Sequence, residues 1–201
     1  RGFWAFGCGT RKRLWPQCRS ARPLKVICVT GMPAAGKEEF QKVASQAGYV
    51  IIRMGDVVRE EARRRALPIT DAAVGGMAHE EREKHGTAIW AERTIPRVRA
   101  ERVCIDGLRS PAELAAFRSA FGSSLVVFAV EASSEIRWTR VQRRRRPDDP
   151  TSWQEFLRRD ARERGWGLEQ VVAAADLRIV NEGSLDDFYA AVRKALRRLD
   201  G

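Results

Sequence analysis

The sequence is short of several features that mark particular classes of protein. No run approaches the roughly 18 consecutive apolar residues of a membrane-spanning helix, so we expect a soluble, cytoplasmic protein without a membrane partner. The chain of 201 residues holds two histidines, His79 and His85. Because six residues separate them, they do not share a helix face, and a metal site built on them is disfavoured.

Cysteine is also scarce, with four widely separated residues: Cys8, Cys18, Cys28 and Cys104. Cys28 and Cys104 fall in apolar runs and are predicted to be small core residues. The other two have no histidine or further cysteine nearby, so they do not match a metal-binding pattern. Nothing in this spacing indicates an oxidising compartment.

Acidic residues are absent from the first 25 positions, which carry seven of the basic residues behind the net charge of +11. The rest of the chain is only mildly basic, so the overall charge is a poor argument for nucleic-acid binding. Residues 1–23 show neither helical nor strand periodicity, and we interpret them as a poorly ordered basic extension. A targeting-like segment, upstream sequence from a mistaken start, and an RNA-contacting arm are the alternatives.

Residues 25–38 are the most informative stretch, because they read as a buried strand, a glycine-bounded loop and the start of a helix. The glycines and the lysine have the G-x-x-x-x-G-K spacing of a phosphate-binding loop. Glycine lets successive N–H groups face one concavity, and the helix N-terminus adds unpaired N–H groups. We therefore expect nucleotide phosphates to be bound by Gly31, Met32, Pro33, Ala34, Ala35, Gly36, Lys37 and Glu38, with the Lys37 ammonium following the β- and γ-phosphates.

Position 38 departs from the usual loop pattern, in which a Ser or Thr hydroxyl ligates Mg²⁺. Two hypotheses for Glu38 stay open. Its carboxylate holds the metal directly or through water, or it points away and stabilises the positive end of the helix dipole. The substitution weakens the expectation of strong catalysis more than that of nucleotide binding.

The remaining chain alternates short apolar runs with helical periodicity. Asp56 and Asp71 are predicted to cap helices, and a further helix start is predicted at the Ser110-Pro111-x-Glu113 sequence. Further strands are predicted over 49–53, 101–106, 124–130 and 176–180. A strand–helix–strand order implies a parallel sheet with right-handed crossovers. We predict a three-layer α/β fold with a five-stranded parallel sheet in the order 2-3-1-4-5 and helices on both faces.

A Gly-Asp-x-x-Arg helix start, Gly55 to Arg59, follows the second strand. A phosphate-binding loop followed by this motif resembles adenylate kinase and related nucleoside monophosphate kinases. In those kinases the arginine contacts the acceptor's phosphate, so the resemblance implies this role for Arg59. A guanidinium grips phosphate bidentately, which agrees with that role. The alternative is a solvated helical arginine.

Asp106 ends the third strand, where parallel sheets place ligand-binding groups. The kinase relatives carry Asp-Gly-x-Pro-Arg here, with the arginine on a substrate phosphate, whereas this chain has Asp-Gly-Leu-Arg, one residue shorter. The resemblance implies that Asp106 organises Mg²⁺, and Glu38 is the other candidate metal ligand. The resemblance implies less directly that Arg109 contacts the acceptor.

Four consecutive arginines, 143–146, precede two aspartates. We interpret residues 143–164 as an arginine-rich lid that closes over phosphates, with Arg144 as its catalytic candidate. A solvated charge run or nucleic-acid patch is the alternative.

Asn181 follows the fifth strand, and in dephospho-CoA kinase and adenylate kinase this loop lies near the donor adenine. A plain turn at the sheet edge explains Asn181 equally well.

Residues 25–199 are similar to a family of archaeal adenylate-kinase-like P-loop ATP-binding proteins, also described as dephospho-CoA-kinase-like. In that family Glu at position 38 is usual, whereas Ala35 replaces a favoured Gly. We expect a P-loop kinase-like domain over 24–201, with acceptor-side helices over about 54–100. The implied activity is ATP- and Mg²⁺-dependent phosphoryl transfer to a nucleoside monophosphate or dephospho-CoA-like acceptor. A nucleotide-binding regulator or weak ATPase, and an RNA-associated protein, are the alternatives.

Overall fold

The computed structural model describes residues 24–144 and 149–199. The basic extension 1–23 and lid residues 145–148 lie outside the described residues, so the division of the chain made above stays a prediction. None of the helices in the described ranges is long and apolar enough to cross a membrane.

Five parallel strands form one sheet in the order β2-β3-β1-β4-β5, as predicted. The strands are β1 (Lys25–Thr30), β2 (Val50–Arg53), β3 (Arg102–Asp106), β4 (Leu125–Glu131) and β5 (Leu177–Val180). The central strands β1, β3 and β4 are almost continuously apolar, as strands covered on both faces must be. In this register Asp106 lies opposite Val29 on one side and Arg53 on the other. The carboxyl ends therefore share one edge of the sheet.

Helices cover both faces of the sheet, which confirms the three-layer prediction. They are α1 (Lys37–Gln46), α2 (Met54–Arg64), α3 (Asp71–His85), α4 (Ile89–Thr94), α5 (Pro111–Phe121), α6 (Ser134–Arg144), α7 (Trp153–Gly165), α8 (Leu168–Ala173) and α9 (Leu185–Arg198). On one face α1 and α9 bury Phe40 and Phe188 against the sheet. On the other, helices α2 to α5 and α8 surround a core that includes Trp90 and Phe117.

Two predicted helix caps are wrong, and one predicted helix start is confirmed. Asp56 does not cap α2, because β2 runs directly into the helix and Asp56 falls within its first turn. At α3 the cap is Thr70, whose hydroxyl accepts the N–H of Ala73 at 3.2 Å, and not Asp71. The start of α5 is the predicted capping box between Ser110 and Glu113.

Candidate functional site

The loop between β1 and α1 has the backbone that its glycines predict. Gly31 and Gly36 have φ angles of 137° and 115°, which favour glycine. Each also has a neighbour in the space that a Cβ would fill. A Cβ on Gly31 would lie 2.2 Å from the carbonyl oxygen of Val130, and one on Gly36 would lie 2.1 Å from Nδ2 of Asn181. Both glycines are therefore required by local geometry and by packing.

Carbonyl groups on the outside of this loop are held by side chains from later elements. Asn181 Nδ2 and Arg140 Nη1 donate to the Ala35 oxygen at 2.8 and 3.1 Å. Arg137 Nη1 donates to the Pro33 oxygen at 3.2 Å. Because these loop carbonyl groups accept hydrogen bonds from later elements, the N–H groups of the loop are left to face its concave side, as in a phosphate-binding nest. In this structure Asn181 contacts the loop itself, and its role beside a donor base stays a prediction.

Lys37 folds back over the loop from the first turn of α1. Its Nζ donates to the carbonyl oxygens of Gly31 and Met32 at 2.6 and 3.0 Å. Burial lowers the pKa of Lys37 below its ordinary value, and the neighbouring Asp106 carboxylate counteracts this only in part. The ammonium thus lies beside the position that β- and γ-phosphates take in a phosphate-binding loop.

Asp106 has an unused oxygen at the end of β3. Its Oδ1 is buried and makes no hydrogen bond to any residue that the structure describes. Buried polar atoms without partners are rare and call for an explanation such as an ion. Asp106 and Glu38 line one cavity, and Mg²⁺ in phosphate-transfer sites is held by one or two carboxylates together with phosphate oxygens. The two side chains therefore fit the predicted metal.

This cavity, of about 270 Å³, lies beside the phosphate-binding loop and brings together four of the residues predicted from sequence. They are Glu38, Arg59, Asp106 and Arg109. The same walls hold residues that the sequence analysis missed, namely Arg53, Arg82, Trp90 and Glu113. A cavity with convergent charged groups and an apolar wall is the usual form of a small-molecule site.

The two predicted acceptor arginines are anchored differently. Arg59 pairs with Asp56 of its own helix at 2.5 Å and is 43% exposed. Arg109 places Nε 3.2 Å from Oε2 of the buried Glu163 and lies over the ring of Trp166. Arg109 is therefore held by Glu163, which lies within the predicted lid region 143–164, and by Trp166, which lies just beyond it.

Arg144, the predicted lid arginine, lies at the end of α6. Its guanidinium donates to the carboxylate of Asp149 at 2.6 to 3.0 Å. It is thus engaged outside the cavity in this structure, and a part in transfer stays a prediction. Arg137 and Arg140, also on α6, were missed. One sequence signal pointed to Arg137, because it precedes the buried Val141 by four residues and shares its helix face.

Comparison with known proteins gives a family and a fold. A family model described as an AAA domain (AAA_17) matches residues 30–157. A UPF0200 protein of Thermoplasma acidophilum is 44% identical over 172 residues, which cover 85% of this chain and 94% of that protein. The chain belongs to the UPF0200 family and carries an AAA_17 domain. The predicted membership of an archaeal P-loop family is thereby confirmed.

A further UPF0200 relative agrees with the family, and solved structures agree with the fold. A UPF0200/UPF0201 protein of Archaeoglobus fulgidus is 42% identical over 181 residues, 88% of this chain but only 56% of that longer protein. A gluconokinase from Sinorhizobium meliloti has a TM-score of 0.57 at 16% identity, with coverage of 89% and 94%. A shikimate kinase from Acinetobacter baumannii has a TM-score of 0.56 at 14% identity, with coverage of 88% and 93%. The UPF0200 chain therefore has a P-loop kinase-like fold.

Proposed function

We propose that this UPF0200 protein is an ATP- and Mg²⁺-dependent phosphotransferase that acts on a small phosphorylated acceptor. The observation that carries the proposal is that Glu38, Asp106, Arg59 and Arg109 line one cavity. This cavity lies beside the loop over which Lys37 folds. Donor phosphates, metal and acceptor need such a place at the carboxyl edge of a parallel sheet. An acceptor of the nucleoside monophosphate or dephospho-CoA class matches the resemblance of the sequence.

On the donor side, the loop from Gly31 to Lys37 would bind the ATP phosphates through backbone N–H groups and the Lys37 ammonium. Glu38 and Asp106 would hold Mg²⁺. When bound, the metal would supply positive charge that neutralises the charge developing on the phosphates during transfer. Asn181 would remain beside the loop and border the donor.

On the acceptor side, Arg59 and Arg109 would fix the acceptor's oxyanion by bidentate hydrogen bonds. An acceptor oxygen would then bond to the γ-phosphorus while the bond to the β-phosphate oxygen breaks. Placement and charge neutralisation supply most of the catalysis in such reactions, so no protein nucleophile is required. Arg144 would contribute if residues 143–164 close as a lid.

An acceptor panel tests the proposal. Purified protein with MgATP is offered nucleoside monophosphates and dephospho-CoA, and acceptor-dependent ADP release is measured. Lys37→Ala should abolish release. The matched control is Lys42→Ala, which removes a largely exposed ammonium from the next turn of α1. Equal ADP release by wild type and Lys37→Ala would contradict the proposal.

A second candidate is a nucleotide-binding regulator or weak ATPase, which Glu38 favours because a carboxylate replaces the usual metal-ligating hydroxyl. ATP binding without turnover on the whole panel would support it.

An RNA-associated role would depend on residues 1–23, which lie outside the described structure. It predicts RNA affinity that falls steeply with salt and disappears when residues 1–23 are removed. For the phosphotransferase we propose a cytoplasmic setting.

A further inference from the structure

Arg82 of α3 lines the cavity and leaves most of its hydrogen-bonding capacity unused. Its side chain is only 16% exposed, and its Nη2 lies 3.8 Å from Oε1 of Glu113, beyond hydrogen-bond distance. Its Nη1 donates to the carbonyl oxygen of Ala78 at a long 3.4 Å. Within residues 24–144 and 149–199, Arg82 makes no other hydrogen bond. A guanidinium carries five N–H donors, so most of those of Arg82 have no acceptor within the described protein and are left to solvent or to a ligand in the cavity.

This arrangement is unfavourable for a cation. Burial lowers the pKa of Arg82 and nearby Arg109 lowers it further, against the opposing effects of Glu113 and Glu163. Glu113 does not supply the missing acceptors, because its Oε1 stays 3.8 Å from Arg82, while its Oε2 accepts the N–H groups of Arg109 and Ser110 at 2.8 and 3.2 Å. Oxygen atoms of an incoming anion would supply the missing acceptors.

A second cation lies next to Arg82. The guanidinium carbons of Arg82 and Arg109 are 5.3 and 5.5 Å from the ring centroid of Trp166. A third guanidinium, that of Arg162, lies 6.0 Å from the same ring centroid, but of the three only Arg82 and Arg109 line the cavity. Arg59, the other predicted acceptor arginine, has its partner Asp56 on α2 and shares none of these contacts. The cavity therefore offers a cationic position at Arg82 and Arg109 that is separate from Arg59, and Arg53 also lies in its wall.

We propose that Arg82 and Arg109, placed by Trp166, form a site for an oxyanion, either phosphate or carboxylate, inside this cavity. With Arg59 as the second position, the site suits a small acceptor that carries two separated oxyanion groups. Its uncharged part would pack on Trp90, Met54 and Val58, which form the apolar wall. Assigning the oxyanion to the acceptor rests on the proposed function, whereas the oxyanion site itself does not.

Isothermal titration calorimetry of the full chain tests the site. Inorganic phosphate and acetate are titrated separately into protein saturated with Mg²⁺ and a non-hydrolysable ATP analogue, so that the phosphate-binding loop is filled. Wild type is compared with Arg82→Gln and Arg82→Lys. The control is Lys84→Gln, which removes an exposed charge from the same helix. Circular dichroism verifies that each variant is folded.

We expect Arg82→Gln to weaken binding of the preferred anion about tenfold or more, the scale of one charge-assisted hydrogen-bond pair. Lys84→Gln should bind as wild type does. Arg82→Lys keeps the positive charge but not the planar guanidinium, so its affinity for the preferred anion should fall several-fold. If Arg82→Gln does not fold, Arg82→Lys provides the test. The preferred anion distinguishes a phosphate site from a carboxylate site. Unchanged affinity of the folded Arg82 variants for both anions would overturn the proposal.

The link to the acceptor is tested separately in the transfer assay. AMP and adenosine 3′,5′-bisphosphate serve as probes with one and two phosphate groups. We expect the bisphosphate to have the lower KM, and Arg82→Gln to raise that KM about tenfold while kcat changes little. An equal KM for the two probes would reject the two-oxyanion acceptor. If the ATP analogue does not bind, the proposed function fails, and the same anion titrations into nucleotide-free protein still decide the role of Arg82.

Discussion

Arg137 and Asp160 form an ion pair buried between α6 and α7, with Nη1 and Oδ1 2.9 Å apart. The two side chains are 2% and 1% exposed. The same guanidinium donates to Pro33 in the phosphate-binding loop, and α7 also carries Glu163, the partner of Arg109. One buried pair therefore connects the loop that would bind the donor to the helix that orients an acceptor arginine.

Removing either member of this pair should destabilise the protein. Arg137→Met or Asp160→Asn alone should cost roughly 3–5 kcal/mol of unfolding free energy, because a buried charge loses its partner. Arg137→Met combined with Asp160→Leu should cost less than the sum of the two single changes. Urea unfolding measures these values.

A surface ion pair between α7 and α8 provides the control. Arg164 and Glu169 are 2.8 Å apart and are 47% and 69% exposed, so Arg164→Met should cost under about 1 kcal/mol. A similar cost for Arg137→Met and Arg164→Met would contradict the importance assigned to the buried pair.

Gly36 should not tolerate a methyl group. Its φ of 115° and the closeness of Asn181 Nδ2 to any Cβ mean that Gly36→Ala must strain the loop or displace Asn181. We expect a loss of about 1–3 kcal/mol in stability and weaker ATP binding, measured by thermal unfolding and calorimetry. Gly75→Ala is the control, because this helical glycine has nothing within 4 Å of a Cβ and should gain up to about 1 kcal/mol. Equal effects of the two substitutions would be incompatible with the loop geometry.

Lys37 should make the nucleotide-free protein more stable as the pH rises. Burial lowers its folded-state pKa below the ordinary 10.5, so between these two values the unfolded chain binds more protons. The free energy of unfolding therefore increases with pH across that window. In Lys37→Met this increase should be absent, as seen by urea unfolding at a series of alkaline pH values. Lys42, whose pKa is raised by Glu39, should contribute with the opposite sign. A wild type and a Lys37→Met protein with the same pH slope would refute this prediction.

Asp106→Asn should uncouple Mg²⁺ from nucleotide binding. The unpartnered Oδ1 loses its charge while the shape of the side chain is kept. We expect ATP affinity without Mg²⁺ to stay the same or rise. The increase in ATP affinity on adding Mg²⁺ should be about tenfold smaller than in wild type, which is the scale of effect expected when a metal's surroundings are altered. Calorimetry with and without Mg²⁺ measures both, and Asp186→Asn, an exposed change on α9, serves as control. An undiminished Mg²⁺ effect in Asp106→Asn would remove this residue from the metal site.

Several features were predictable because they depend on neighbours in the chain. The capping box of Ser110 and Glu113 spans three residues. The wrong caps show the limit of such reasoning. Asp56 resembles a cap in sequence, but β2 passes into α2 without the loop that a cap requires. At α3, Thr70 competes with Asp71 for the same role, and local sequence does not decide between adjacent candidates.

The charge partners were less predictable. Arg137 and Asp160 lie 23 residues apart, and Arg82 of α3 lies over the ring of Trp166, which follows α7 much later in the chain. In sequence, these arginines look like the many exposed ones around them. Their burial depends on how helices are arranged, which short-range patterns do not encode.

The phosphate-binding loop and the succession of strands and helices followed from residue order alone, because glycine geometry and apolar periodicity act over a few residues. Packing decided which charged groups meet. Lys37, Asp106 and the arginines of α2, α3 and the β3–α5 loop converge only when the crossovers bring the carboxyl ends of the strands to one edge. Desolvation and pairing at that edge depend on distances between remote segments, so they exist only in the folded protein.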